Sequence, residues 1–110
     1  MASGILGSVY IDGTTNTTFT DVAVYTVPAS MLTSCNVNVC NQTGSAVNVY
    51  LAVTSGASPA SADWIEYKTS VPAYGVLERT GLVLQAGAKV FVRSEQTGVS
   101  CVVTGIEESA

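Results

Sequence analysis

The side chains that could carry out chemistry in this sequence are few, and their spacing does not assemble a reactive site. The chain contains no histidine, which is the usual general base and the commonest metal ligand. No serine lies in a G-x-S-x-G elbow, and no P-loop or G-x-G-x-x-G occurs. The carboxylates Asp63, Glu66 and Glu78 are scattered over strands and loops, where acids mostly provide solubility. The sequence therefore predicts no enzyme, no cofactor site and no metal site.

The cysteines favour free thiols over a disulfide framework. Cys35, Cys40 and Cys101 are odd in number, which argues against complete pairing. Cys35 and Cys40 lie five residues apart, and an odd separation on a strand directs side chains to opposite faces. We therefore predict small apolar fillers in a reducing compartment.

The aromatic residues of DWIEY, together with Tyr74 further along the chain, are compatible with a carbohydrate-binding surface, because sugar rings stack on flat aromatic faces. On a regular strand, however, Trp64 and Tyr67 lie an odd number of residues apart and point to opposite faces. The spacing favours core packing for one ring and rim or interface packing for the other.

The charged residues argue against nucleic acid and membrane partners. Arg79, Lys89 and Arg93 are three of only four basic residues, and the formal net charge is -4, which disfavours an electrostatic grip on an anionic partner. Only 11% of the residues are charged, compared with about 25% in an ordinary soluble domain. Such a surface is expected to be partly buried against other copies or a larger partner. A monomer with a neutral, threonine-rich exterior is the alternative.

Hydrophobic alternation with a period of two residues is the strongest structural signal in the chain. In CNVNVC, one face carries Cys35, Val37 and Val39, and the other carries asparagines. VNVYLAV alternates in the same way. One face carries Val47, Val49, Leu51 and Val53, and the other carries Asn48, Tyr50 and Ala52. The polar loop NQTGSA separates the two runs, so together they predict a β-hairpin.

The segment VPAYGVLERTGLVLQAGAKVFVRS predicts two more strands. In AKVFVRS, Lys89 and Arg93 share the outward face, and Gly87 in the preceding turn is free to adopt a positive φ. In GVLERTGLVL, Gly81 interrupts the alternation, which predicts a bulge or bend.

Strands are also predicted at ILGSVYI, DVAVYTV, WIEYKTS and VSCVVTGI. The loops SGASPASAD and SVPAYG separate some of them, and the first is expected to hold a helical turn capped by Ser61. About eight short antiparallel strands and no helical spacing predict an all-β fold. We expect a single-domain β-sandwich over residues 1–110, jelly-roll-like or immunoglobulin-like, with a compact barrel as the alternative.

Residues 1–12 are predicted to form an N-terminal arm or an edge strand. This segment carries apolar side chains that are unfavourable in water, namely Ile5, Leu6, Val9 and Tyr10. It lacks a basic region and has only a short apolar run, so it predicts neither a signal peptide nor a membrane span. We therefore expect synthesis in a cytoplasm.

Several phrases of the sequence, spread over roughly residues 22–108, resemble small structural proteins of tailed bacteriophage virions, including those of cyanobacterial phages. The phrases are VYTVPASM, NVNVCNQTGSAVNVYLAV, ADWIEY, GVLERTGLVLQAGAKVFV and TGIEE. The pieces VYTVPAS, IEY and GVLERTG carry most of the resemblance. It implies an all-β protein that serves as a capsid decoration (cement) subunit or as part of a tail or fibre.

The resemblance implies a non-enzymatic protein on the capsid exterior, made in the host cytoplasm. Its partners would be the phage major capsid protein and other copies of itself, with a homotrimer as the expected oligomer. A tail-fibre, collar or baseplate β-module is one alternative, and a carbohydrate-binding β-sandwich is another. The candidate interface residues are Ile5, Leu6, Val9, Tyr10, Trp64, Tyr74 and Arg79.

Overall fold

Eight strands make up most of residues 3–109, the part of the chain that the computed structural model describes. Their bounds are β1 (Ser3–Ile11), β2 (Val22–Thr26), β3 (Met31–Asn41), β4 (Val47–Thr54), β5 (Trp64–Val71), β6 (Val76–Leu84), β7 (Lys89–Ser94) and β8 (Val99–Ser109). The predicted all-β fold is confirmed. Over these residues the structure has no helix with the length and apolarity that a membrane crossing needs.

The strands form two antiparallel sheets that pack face to face. Sheet A has the order β1-β8-β3-β6, and sheet B has the order β2-β7-β4-β5. Among these strands, β4 and β5 are the only chain neighbours that pair, since every other connection joins the two sheets. This is the order of an eight-stranded jelly roll, whereas an immunoglobulin sandwich pairs its first two strands in one sheet. Of the two predicted sandwich types, the chain adopts the jelly roll.

The predicted hairpin of β3 and β4 is wrong. β3 lies between β8 and β6 in sheet A, whereas β4 lies between β7 and β5 in sheet B. The loop over residues 42–46 therefore carries the chain across the sandwich. Both strands bury one face against the same core, so their side-chain alternation is the same in a hairpin and in a crossing.

The core lies between the inner faces of the two sheets and consists mainly of valine. The residues predicted to point inward from β3 and β4 are buried at Cys35, Val37, Val39, Val47, Val49 and Leu51, while Val53 is half-buried. The alternation in VNVYLAV is typical of a strand with only one buried face, but Tyr50 and Ala52 on the opposite face are buried as well. β4 is an interior strand of sheet B, and aromatic side chains cover its outer face at Tyr50.

The two glycine predictions are confirmed. Gly87 has φ +83 in the turn before β7, and Gly81 has φ +73 within β6. Around Gly81 the pairing of β3 with β6 shifts register, since Cys35 opposes Leu82 but Val37 opposes Arg79. This bulge leaves Arg79 on the inward face at the edge of sheet A.

Different contacts join the sheets along their two sides. On one side β1 passes β2 at Gly7, where a Cβ atom would overlap the carbonyl oxygen of Val24. On the other side Arg79 of β6 donates a hydrogen bond to Glu66 of β5 at 3.1 Å. Residues 3–11 of the predicted arm or edge strand form β1, which lies at the edge of sheet A and pairs with β8. Residues 1 and 2 lie outside the described part of the chain.

The predicted helical turn is present, but its predicted cap is wrong. A 3₁₀ turn spans Ser61–Asp63 and ends where β5 begins at Trp64. The carboxylate of Asp63 accepts a hydrogen bond from the N–H of Ala60 at 2.7 Å. The hydroxyl of Ser61 makes no cap, because Ala60 rather than Ser61 precedes the first turn residue.

Candidate functional site

The outward side chains of sheet A form a broad surface with little charge, which we call the sheet A face. Alternation along β3 and β8 exposes serine, threonine and asparagine between apolar residues, while the intervening positions are buried. Within the described strands, the only charged outward side chains on this face are Glu78 and Glu108. The face therefore presents neutral hydrogen-bonding groups and apolar groups, with no basic residue.

Four of the six large exposed apolar side chains on the sheet A face lie in two register rows, called here the apolar rows although each also contains serine, while Ile5 and Leu32 lie outside them. One row follows the register Tyr10, Ser100, Cys40, Val76 from β1 to β6. The other row follows Ser3, Ile106, Ser34, Val83. Exposed fractions reach 59% at Val76, 64% at Val83 and 48% at Ile106. Six of the nine large exposed apolar residues found over residues 3–109 lie on this sheet, at Ile5, Tyr10, Leu32, Val76, Val83 and Ile106.

The sheet A face has the size of a protein-protein interface. Four strands spaced about 4.8 Å apart and a strand of about eleven residues give roughly 19 Å by 37 Å, or about 700 Å². A standard interface buries about 800 Å² on each partner. A depression of about 310 Å³ lies beside the bulge, between Gly81, Val83, Gly105 and Ile106. A side chain of a partner could occupy this depression.

Bulges in β5 bring Trp64 and Tyr67 onto one side of the strand, so the prediction that they point to opposite faces is wrong. Trp64 opposes Ala52 and Glu66 opposes Leu51, and the register shifts between these pairs. It shifts again before Thr69 opposes Val49. Lys68 has φ +53 in this second irregularity, an uncommon conformation for a side chain other than glycine. The extra residues reverse the simple alternation of faces.

The result is an aromatic cluster on the outer face of sheet B, formed by Tyr50, Trp64 and Tyr67. The ring centroids of Trp64 and Tyr67 are 5.8 Å apart with an angle of 76° between the planes. Tyr50 lies 4.9 Å from Tyr67 and 6.0 Å from Trp64, again edge to face. Such geometry is favourable for aromatic pairs. Tyr50 is buried and Tyr67 is 64% exposed, so Tyr50 supports the other two rings from below.

Charged groups fix the aromatic cluster from the β7 side. The guanidinium carbon of Arg93 lies 4.9 Å from the Trp64 ring centroid and 5.2 Å from that of Tyr50, within cation-π range. The Nε of Arg93 donates to Oδ1 of Asp21 at 2.8 Å. The Tyr50 hydroxyl donates to Glu95 at 2.6 Å. This hydrogen bond raises the pKa of Tyr50 and lowers the pKa of Glu95.

A concave space of about 450 Å³ opens beside this cluster and is lined by Ser61, Trp64 and Tyr67. Its volume falls within the roughly 300–1,000 Å³ of small-molecule sites. Two rings set almost at right angles form its walls. The 3₁₀ turn before β5 supplies Ser61, so the whole lining comes from one short segment, residues 61–67.

The structure distributes the predicted interface residues over several places. Ile5 and Tyr10 are exposed on the edge strand β1, while Leu6 and Val9 pack against the core. Trp64 belongs to the aromatic cluster of sheet B. Tyr74 is 74% exposed in the turn between β5 and β6. Arg79 forms an ion pair with Glu66 within the chain.

Several residues of these surfaces were not predicted from the sequence. Val76, Val83 and Ile106 belong to the sheet A face, and Arg93 and Tyr50 belong to the aromatic cluster. In GLVL, Val83 lies between Leu82 and Leu84, and alternation along a strand places it on the face opposite to these two leucines. The clustering of Arg93 with Trp64 has no local signal, because it depends on pairing of β4 with both β5 and β7.

The comparisons with known proteins identify no relative. No family model matches the chain, and neither the curated proteins nor the solved structures contain a match. Over residues 3–109, no group of three or more cysteine, aspartate and glutamate side chains is placed to hold a metal ion.

Proposed function

We propose that this protein is a non-enzymatic structural subunit of a tailed-phage virion that decorates the outside of the capsid and binds the major capsid protein. The observation that carries the proposal is the sheet A face, which is wide, almost uncharged and carries six of the nine large exposed apolar residues found over residues 3–109. Exposed apolar side chains that are grouped on one face of a small protein favour an interaction site there.

The chemistry of the sheet A face suits a protein partner. Removing Val76, Val83 and Ile106 from water is favourable at about 25 cal/mol for each Å² of apolar surface. The surrounding serine, threonine and asparagine side chains can exchange water for hydrogen bonds across an interface. The partner does not have to neutralise a basic residue on this face, so salt should have little effect on its affinity.

The virion assignment rests on the sequence resemblance, with support from the fold. The jelly roll occurs in viral capsid proteins and also in lectins and cupins, so the fold alone is an analogy and does not determine function. The phrases VYTVPAS and GVLERTG form β2 with its following loop and β6 with its bulge. The resemblance therefore covers elements of both sheets.

The proposed assembly is a homotrimer, in which β1 contributes to contacts between subunits. β1 lies at the edge of sheet A, and its Ile5 is 74% exposed. An edge strand offers unpaired backbone groups to a neighbour. Closed three-fold symmetry would use the same contact three times and leave no free edge of this kind.

The proposal can be tested by adding the purified protein to capsids that lack it, followed by pelleting and electron microscopy. We expect binding to the capsid shell in numbers divisible by three. Binding to the tail alone would replace the decoration proposal with the tail-fibre, collar or baseplate module. Absence of binding to any part of the particle would overturn the virion assignment.

Variants can assign the binding to the sheet A face. Ile106→Asp and Val83→Asp each place a charge in one apolar row and are expected to weaken shell binding by about tenfold or more. Thr26→Asp is the matched control, because Thr26 is an exposed strand residue of sheet B. Circular dichroism checks that each variant is folded. Equal binding by all three variants would exclude this face.

A further inference from the structure

We propose that the concave space beside Trp64, Tyr67 and Ser61 is a binding site for a neutral carbohydrate, with the two aromatic rings stacking on the apolar faces of pyranose rings. The site lies on the outer face of sheet B and uses no residue of the sheet A face. The inference therefore does not depend on the proposed capsid role.

The arrangement of the rings is the first argument. Tyr67 keeps 64% of its surface exposed although it contacts both Tyr50 and Trp64. An exposed aromatic ring that is held in place from below loses little conformational entropy on binding. Tyr67 offers an exposed stacking plane, and the partly exposed ring of Trp64, set at 76° to it, forms a second wall. This arrangement suits a ligand that has both apolar faces and polar edges.

Polar groups at the rim of the site match the hydroxyl groups of a sugar. Ser61 lines the space and supplies a hydroxyl that can donate and accept. Arg93 does not line the space, but its guanidinium carbon lies 4.9 Å from the Trp64 ring centroid, and it has N–H groups beyond the contact of its Nε with Asp21. A few polar groups around an aromatic floor are typical of small-molecule sites, where they set the orientation of the ligand.

The charges around the site favour a neutral ligand. Asp21 and Glu95 contribute negative charge, while Arg93 contributes positive charge, as does Lys68, whose charge is close enough to lower the pKa of Glu95. Asp63, which the 3₁₀ turn places between Ser61 and Trp64, adds a third carboxylate, so the surroundings carry a small negative charge that disfavours an anionic ligand. A cationic ligand is disfavoured, because the guanidinium of Arg93 already occupies the position of a cation over Trp64 and Tyr50.

The chain contains a single tryptophan, so intrinsic fluorescence reports on this site directly. The full-length protein is titrated with maltohexaose, cellohexaose, xylohexaose, mannohexaose and chitohexaose as neutral probes, and decaproline is titrated in parallel. At least one oligosaccharide is expected to change the emission of Trp64 with saturation. A response to decaproline alone would overturn the proposal in favour of a peptide groove, and the absence of any response would also overturn it.

Matched tyrosine variants test whether the binding uses the proposed rings. Tyr67→Ala is expected to raise the dissociation constant of the responding sugar by about tenfold or more. Tyr74→Ala is the control, because Tyr74 is similarly exposed but lies in the turn between β5 and β6, outside the cluster. Its dissociation constant should be unchanged. Equal affinity for Tyr67→Ala and the wild-type protein, with both folded, would contradict the proposal. Tyr67→Ala should still bind capsids, which separates this site from the proposed function.

Discussion

Arg79 of β6 and Glu66 of β5 join the outer strands of the two sheets through a hydrogen-bonded ion pair with an N–O distance of 3.1 Å. Arg79 opposes Val37 and Glu66 opposes Leu51, so both residues occupy inward register positions. Glu66 also accepts a hydrogen bond from the hydroxyl of Thr69 at 2.7 Å. The pair closes the side of the sandwich that lies opposite Gly7.

We expect Arg79→Met to reduce the free energy of unfolding by about 1 kcal/mol, because a partly exposed ion pair contributes little more than this. The melting temperature should fall by roughly 4 °C. A double-mutant cycle with Glu66→Gln separates the pair from the effect of each side chain alone. A coupling energy of zero would show that the pair does not hold the sheets together.

A buried polar cluster is formed by Tyr25, Thr33 and Glu107. Because of this cluster, the free energy of unfolding should change with pH in the alkaline range. The phenol of Tyr25 donates to Glu107 at 2.5 Å, and the hydroxyl of Thr33 lies 2.8 Å from the phenol oxygen. Burial, followed by the bond to Glu107, raises the pKa of Tyr25 from 10.0 to about 12. The unfolded chain therefore loses this proton at a lower pH than the folded protein does.

The contribution of Tyr25 to the free energy of unfolding should be fully present below about pH 10 and should decrease as the pH rises towards 12. In this range the folded state binds more protons than the unfolded state, so stability falls as the pH rises. Burial also raises the pKa of Cys101 to about 12, and this adds a loss of the same sign. Chemical denaturation at several pH values should therefore show a smaller alkaline loss in Tyr25→Phe than in the wild type. An identical pH dependence in both proteins would rule out the Tyr25 contribution.

The thiols should differ in reactivity within one folded molecule. Cys35 and Cys101 are buried, and burial raises the pKa of both, whereas Cys40 is only partly buried. Thiol titration of the native protein should label Cys40 first, and titration in denaturant should find three free thiols. A reductant should leave the melting temperature unchanged. A melt that shifts with reductant would reveal a disulfide.

Gly7 should not tolerate a side chain. A Cβ atom there would overlap the backbone oxygen of Val24, so Gly7→Ala has to separate β1 from β2. We expect a loss of about 1–3 kcal/mol in the free energy of unfolding. Gly56→Ala is the control, because its Cβ would meet its nearest atom at 3.6 Å. Equal stability of the two variants would contradict the close approach of β1 and β2.

The sequence predicts the strands well because each strand buries one face, and this burial imposes a period of two residues. It predicts the inward residues of β3 and the bulge at Gly81 for the same local reason. The pairing partners of β3 and β4 are not predicted, since a crossing and a hairpin require the same alternation. The sequence alone therefore leaves two sandwich types open, and the strand order is needed to identify the jelly roll.

The candidate sites depend still more on long-range pairing. Trp64 and Tyr67 lie on the same side of β5 because of bulges in its pairing with β4. In a regular strand the two side chains would point to opposite faces. Ile5 and Tyr10 are recognisable as exposed apolar residues of an edge segment. Val76 and Ile106 join them only because β6 and β8 are both strands of sheet A.

A cryo-electron microscopy map of capsids decorated with this protein tests the central claim most directly, because it shows which sheet contacts the shell. We predict that Val83 and Ile106 lie buried against a neighbouring protein, with the aromatic cluster of sheet B facing solvent. A map in which the sheet A face is open to solvent, or in which the protein occupies only the tail, would contradict the account.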